Sequence, residues 1–133
     1  MTAEELCVSS ETAKRLHDAG IKVDSLYSWY IINSNHLLIA TNRIVNQKSY
    51  GFNDPYYPAP TAEEFFKALP IHVLINDKSY TLRLFTWDDG VSAYYSYYPE
   101  REYLGCENLS KYEKLCEALA DAAMKLKEAG YEL

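Results

Sequence analysis

Hydrophobic residues recur at steps of three and four near the end of the chain and predict a long helix over residues 108–130. Lysines and carboxylates occupy the opposite positions, so that side of the helix is expected to meet water. The pattern is typical of a helix that lies on one face of a β-sheet. The expected buried stripe consists of Leu109, Tyr112, Leu115, Cys116, Leu119, Ala122, Ala123 and Leu126.

Other segments alternate apolar and polar residues or are rich in β-branched and aromatic side chains, which favours strands. Thr61 and Glu64 have the spacing of a capping box and mark the start of a short helix. The full prediction is helix 10–20, strands 25–32 and 37–41, helix 61–69, strands 71–75 and 79–87, a last strand from Val91, and the C-terminal helix.

This order, αββαβββα, predicts an α+β fold in one domain, residues 1–133. The short hairpin turns favour antiparallel pairing. We therefore expect a single, mainly antiparallel sheet of about five strands, with the long C-terminal helix packed on one face.

The last hairpin is expected to turn at residues 88–90, with glycine in the left-handed conformation. A three-residue turn places Trp87 opposite Val91 and Arg83 opposite Tyr95, which suggests a cation–π pair between Arg83 and Tyr95. Since helices cover one face only, aromatic side chains should remain near solvent on the other. In this register one face carries the candidate contact residues Arg83, Phe85, Trp87, Tyr95 and Tyr97, and the reverse face carries Tyr80, Leu82, Leu84, Tyr94 and Tyr98. Both faces hold aromatic side chains, and the sequence leaves open which of the two is exposed.

Residues 46–60 are rich in aromatic residues, proline, asparagine and aspartate, and are predicted to form a long loop. Long loops inside compact domains are often binding loops. An alternative of equal weight is that the rings fill an open end of the core. The candidate contact residues of this loop are Tyr50, Phe52, Tyr56 and Tyr57.

The net charge of −6 and the scattered distribution of thirteen lysines and arginines argue against direct nucleic-acid binding.

The three cysteines form no Cys-x-x-Cys pair, which indicates reduced thiols in the cytoplasm. The acidic N-terminal residues are unlike a signal peptide, and no apolar run approaches the ~20 residues of a membrane span.

The sequence contains no phosphate-binding glycine loop, no nucleophile elbow and no histidine spacing typical of metal ligands. We therefore predict no catalytic residues, no metal and no cofactor. The thirteen tyrosines and two tryptophans instead favour a recognition surface. The expected function is non-enzymatic contact with a protein partner or a second copy. The alternative is a small hydrolase or transferase with a pocket under loop 46–60, to which Cys106 or His72 would contribute.

Three blocks of sequence carry a resemblance that covers most of the chain. They are residues 10–21 (SETAKRLHDAGI), residues 59–64 (APTAEE) with Leu69 and Pro70, and residues 118–122 (ALADA) with 126–130 (LKEAG). With these blocks the chain resembles small hypothetical proteins of phages, prophages and other mobile elements of gut bacteria. The resemblance implies an accessory protein of the bacterial cytoplasm and supplies no catalytic residues.

Overall fold

A computed structural model describes residues 2–48, 56–97 and 102–133 of the chain. The α+β class is confirmed. The helices are α1 (Ala3–Leu6), α2 (Ser10–Asp18), α3 (Thr41–Lys48), α4 (Ala62–Ala68) and α5 (Leu115–Glu128). The strands are β1 (Tyr27–Ile32), β2 (Asn35–Ala40), β3 (Tyr56–Pro58), β4 (His72–Ile75), β5 (Lys78–Trp87), β6 (Gly90–Tyr97) and β7 (Glu102–Tyr103).

The strands form two antiparallel sheets, so the expected single sheet of about five strands is wrong. One sheet has the order β2-β1-β3 and the other the order β4-β5-β6-β7. β3 ends at Pro58, and Pro60 follows two residues later. Proline has no N–H to donate, which suits an edge strand. The backbone pairing with β1 extends to the bond from the Ala59 N–H to the Tyr27 carbonyl oxygen. The chain then enters α4 before it reaches the second sheet.

Helix α5 packs against β6, and its periodic residues Cys116, Leu119, Ala123 and Leu126 are buried as predicted. We call the face of the sheet that carries Ala93 and Tyr95, which belong to the same core cluster, the inner face. The helix starts at Leu115 and not near residue 108, because the preceding segment is extended. Within it, Tyr112 and Val91 exchange backbone hydrogen bonds of 2.8 and 2.9 Å.

The last hairpin has a two-residue turn, and Trp87 pairs with Gly90 instead of Val91. The expected register is therefore wrong by one residue. Because side chains alternate between the faces of a sheet, the slip moves Tyr95 and Tyr97 to the inner face. Arg83 lies opposite Tyr94, and the predicted pairing with Tyr95 does not form.

The expected loop 46–60 is also shorter than predicted. Helix α3 continues to Lys48, and Tyr56 and Tyr57 lie in β3, which pairs with β1. Tyr50 and Phe52 lie outside the described residues, so their predicted role in contact stays a prediction.

Candidate binding face

The second face of the four-stranded sheet, opposite α5, is the candidate site, and we call it the outer face. Its members follow from the register, since side chains of directly paired residues point to the same side. They are His72 and Leu74 of β4, Ser79, Thr81, Arg83, Phe85 and Trp87 of β5, Ser92, Tyr94 and Ser96 of β6, and Tyr103 of β7.

Phe85 and Trp87 form an exposed aromatic pair at the hairpin end of the outer face. Their ring centroids are 4.7 Å apart, with 46% and 37% of the two residues exposed. The Lys111 Nζ lies 5.5 Å from the centre of the Trp87 ring and 3.2 Å from each carboxylate oxygen of Asp89. These contacts hold one side of the tryptophan ring and leave the remainder accessible.

The buried hydroxyl group of Ser92 holds the Trp87 side chain in place. The indole Nε1 donates a 2.8 Å hydrogen bond to Ser92 Oγ, and Ser92 donates a 2.7 Å bond to the Ser110 carbonyl oxygen. Ser92 is 1% exposed. A ring that is already held in place loses little conformational entropy when a partner covers it, which favours binding.

A cavity of about 420 Å³ continues from this pair along the outer face. Tyr94 and Tyr103 line part of it and meet edge to face at 5.2 Å. Arg83 also lines the cavity, and within the described part of the chain its guanidinium has no ion pair. The cavity therefore combines aromatic walls with a free positive charge. Its other lining residues are Phe85, Trp87, Ser96, Tyr97 and Leu109.

Tyr95 is not part of a contact surface, contrary to the sequence-based prediction. It is 1% exposed, and its hydroxyl donates a 2.7 Å hydrogen bond to the carbonyl oxygen of Pro70. Burial raises the pKa of its phenol above the usual value. Tyr97 is half-buried beside Tyr80 on the inner face, although it also lines the cavity.

Tyr56 and Tyr57 lie in the three-stranded sheet and not on the outer face. They line a separate cavity of about 600 Å³, where the Tyr57 ring meets His17 edge to face at 5.1 Å. The sheet residues and the loop residues were expected to share one surface, but they belong to different sheets. Of the predicted residues that lie within the described ranges, only Arg83, Phe85 and Trp87 come together with their side chains accessible on the outer face.

The cavity beside β3 is where the alternative enzyme would act. Two of its hydroxyl groups make structural hydrogen bonds: Ser25 Oγ donates to Glu64 Oε1 at 2.8 Å, and Thr41 Oγ1 donates to the Ser25 carbonyl oxygen. His72 and Cys106 do not line it. His72 lies on the outer face, 3.2 Å from the Thr81 hydroxyl. The catalytic alternative stays an untested prediction.

The three cysteines are free, and two of them are buried. Burial raises the pKa of the Cys7 thiol and of the Cys116 thiol to about 11. Both thiols are therefore protonated and unreactive at neutral pH. Within the described ranges, no group of three or more histidine, cysteine or acidic residues is arranged to hold a metal ion.

Sequence reasoning missed Tyr94 and Tyr103 of the outer face and Lys111 at its rim. Tyr94 follows directly once the turn has two residues, so the length of the turn was the missing information. Tyr103 reaches the face because β7 pairs with β6, and Lys111 reaches it because the neighbouring Tyr112 bridges to the distant Val91. The sequence analysis predicted neither pairing.

Comparisons of the chain with protein-family models, with curated proteins and with solved structures gave no match. No helix in the described parts of the chain has the length and apolar composition needed to cross a membrane.

Proposed function

We propose that this protein is a non-enzymatic binding protein that contacts another protein chain through the outer face. The observation that carries the proposal is the accessible Phe85–Trp87 pair, whose tryptophan is anchored through Ser92 to Ser110. Anchored aromatic side chains supply much of the binding energy at protein interfaces.

The chemistry of the outer face supports a protein partner. Aromatic residues and arginine are enriched at protein interfaces, while lysine and carboxylates are depleted from their centres. Around Phe85 and Trp87 the neighbours on the face are Arg83, Tyr94 and Tyr103, with Lys111 at the rim. The two rings are exposed on a sheet face beside these residues, which suits contact with the surface of another protein.

The cellular setting is part of the same proposal. The three free thiols support a reducing compartment, and the resemblance to proteins of mobile elements implies an accessory role in the bacterial cytoplasm. We expect contact with a protein and not with nucleic acid or a membrane, because the net charge is −6 and the outer face carries aromatic side chains.

The test compares two substitutions of equally exposed apolar residues. Phe85 is 46% exposed on the outer face and Leu37 is 47% exposed on β2. Phe85→Glu is expected to abolish the protein contact, whereas Leu37→Glu is expected to leave it unchanged. The two readouts are the mass of the purified chain in solution and the proteins that the immobilised chain retains from an extract of its source cells.

Support requires a change in at least one readout with Phe85→Glu and no change with Leu37→Glu. A protein retained from the extract must also be identified, purified and shown to bind the parent chain but not Phe85→Glu. Circular dichroism of both variants checks that the fold persists. The proposal is overturned if two folded variants and the parent chain behave alike in both readouts.

A further inference from the structure

We propose that the outer face and the neighbouring edge of β5 bind a second copy of this chain, with the two β5 strands antiparallel about a two-fold axis. This inference rests on the proposed function, because it names the partner of the same surface. Two further observations support it besides the aromatic pair: β5 has a free strand edge, and the charges along β5 are complementary to those of a second copy.

The backbone edge of β5 is open over its second half. β4 pairs only with residues 78–81, and the last bond on this edge runs from the Leu82 N–H to the Ile71 carbonyl oxygen. Backbone groups point alternately to the two sides of a strand, so Leu84 and Thr86 present their N–H and C=O groups to the same edge. Within the described residues, these groups have no backbone partner there.

Apolar side chains flank this open edge on both faces of the sheet. Leu84 is 44% exposed on the inner face, and Phe85 and Trp87 are exposed on the outer face. An exposed apolar edge strand is a template for another strand, whose backbone completes the hydrogen bonds while its side chains cover the apolar ones. The edge and the aromatic pair therefore form one continuous contact region.

The charges at the ends of the open segment indicate the occupant. Arg83 and Asp88 both lack an ion pair within the described ranges, whereas Asp89 is paired with Lys111. Antiparallel pairing of this segment with its copy brings the Arg83 end of each strand to the Asp88 end of the other. Each dimer then contains two new Arg–Asp pairs, and Arg83 also approaches the Trp87 ring of the copy.

The edge of β4 lacks this complementarity. Its sequence, HVLI, contains no carboxylate, so a copy paired there gains no ion pair from the strand itself. The charge pattern therefore favours β5 as the strand that meets its copy.

The test uses sedimentation velocity on the parent chain, on Arg83→Asp, on Asp88→Arg and on an equimolar mixture of the two variants. The parent chain is expected to shift from 15.3 kDa toward twice that mass as its concentration rises. Each single substitution replaces both attractive pairs with repulsive ones and is expected to raise the dimer dissociation constant by roughly tenfold or more. In the mixture both contacts are attractive again, so the dimer is expected to return.

Lys14→Asp is the control, because it changes the net charge as Arg83→Asp does but lies at an exposed position of α2, away from β5. It is expected to dimerise like the parent chain. Circular dichroism verifies that every variant is folded. The proposal is overturned if the parent chain stays at 15.3 kDa at all concentrations, or if the mixture is no heavier than either variant alone.

A failure of the second-copy proposal can be distinguished from a failure of the proposed function. If the parent chain is monomeric but Phe85→Glu abolishes binding of an identified protein, the outer face is a contact surface for another partner. In that case only the second-copy proposal fails. If Phe85→Glu changes neither readout, both proposals fail.

Discussion

Trp87 donates its indole N–H to the hydroxyl of Ser92 at 2.8 Å, five residues along the chain and across the last hairpin. Ser92 is buried, and its hydroxyl group donates a hydrogen bond to the Ser110 carbonyl oxygen. This small hydroxyl connects the exposed ring of the outer face to the segment that leads into α5. The position of the candidate binding residue therefore depends on a contact that is itself protected from solvent.

Ser92→Ala tests this connection. The substitution removes the partner of both the Trp87 N–H and the Ser110 carbonyl group, and we expect the free energy of unfolding to fall by about 1–2 kcal/mol. Urea titration followed by circular dichroism measures the change. Ser79→Ala, at an exposed position of the same sheet, is the control and is expected to change little. Equal stability of the two variants would contradict a structural role for Ser92.

Tyr95→Phe tests the burial of a tyrosine that the sequence places on the surface. The substitution leaves the Pro70 carbonyl group without its 2.7 Å partner in the core, so we expect a loss of about 1–2 kcal/mol in unfolding free energy. Tyr97→Phe is the matched control, because no hydrogen bond of its hydroxyl is seen within the described residues. If Tyr95→Phe were as stable as Tyr97→Phe, the hydroxyl of Tyr95 would have to be solvated.

Gly90→Ala tests why glycine follows the two-residue turn. A Cβ at this position would lie 2.8 Å from the Tyr112 carbonyl oxygen, closer than real contacts of this kind. We expect a loss of about 1–3 kcal/mol, because either the strand or the Tyr112 segment must shift. Thermal unfolding monitored by circular dichroism measures the effect. Thr86→Ala, at an exposed position of the same hairpin, is expected to cost less, and the reverse order would contradict the close approach.

The buried thiols predict a loss of stability at alkaline pH. An unfolded thiol ionises near its ordinary pKa of 9.0, while Cys7 and Cys116 in the folded chain ionise only near about 11. Above pH 9 the unfolded chain therefore binds fewer protons than the folded one, and stability falls with rising pH until the folded pKa is reached. We expect the unfolding free energy to fall by about 2–3 kcal/mol between pH 8 and pH 10.

Urea titrations at several pH values measure this slope. Cys7→Ala removes one of the two groups and is expected to make the slope shallower, whatever it does to absolute stability at pH 8. A parent chain whose stability does not change between pH 8 and pH 10 would contradict the raised pKa values of these two thiols.

Local patterns in the sequence predict much of the fold. The periodic stripe of α5 gives Cys116, Leu119, Ala123 and Leu126 as buried residues, as observed. Thr61 and Glu64 form the capping box at the start of α4 that their spacing predicts. These features depend on neighbours within one or two turns of the chain, and such neighbours are visible in the sequence.

The errors arise where distant segments decide the structure. Asp88, Asp89 and Gly90 are compatible with a two-residue turn and with a three-residue turn. In the structure the turn has two residues, and Gly90 lies against Tyr112 of the segment before α5, a distant contact that the local sequence does not contain. Because the observed register differs from the predicted one by one residue, Tyr95 lies in the core and not on the predicted contact surface. The division into two sheets likewise depends on which strand edges meet, and local periodicity does not contain that information.

The exchange rates of the Leu84 and Thr86 amide protons test the central claim most directly, since both protons point to the open edge of β5. We expect rapid hydrogen–deuterium exchange in dilute protein and marked protection in concentrated protein, with no such difference for Arg83→Asp. Exchange of both amides that is equally fast at every concentration of the parent chain would contradict the claim that β5 and the outer face form an interface between two copies.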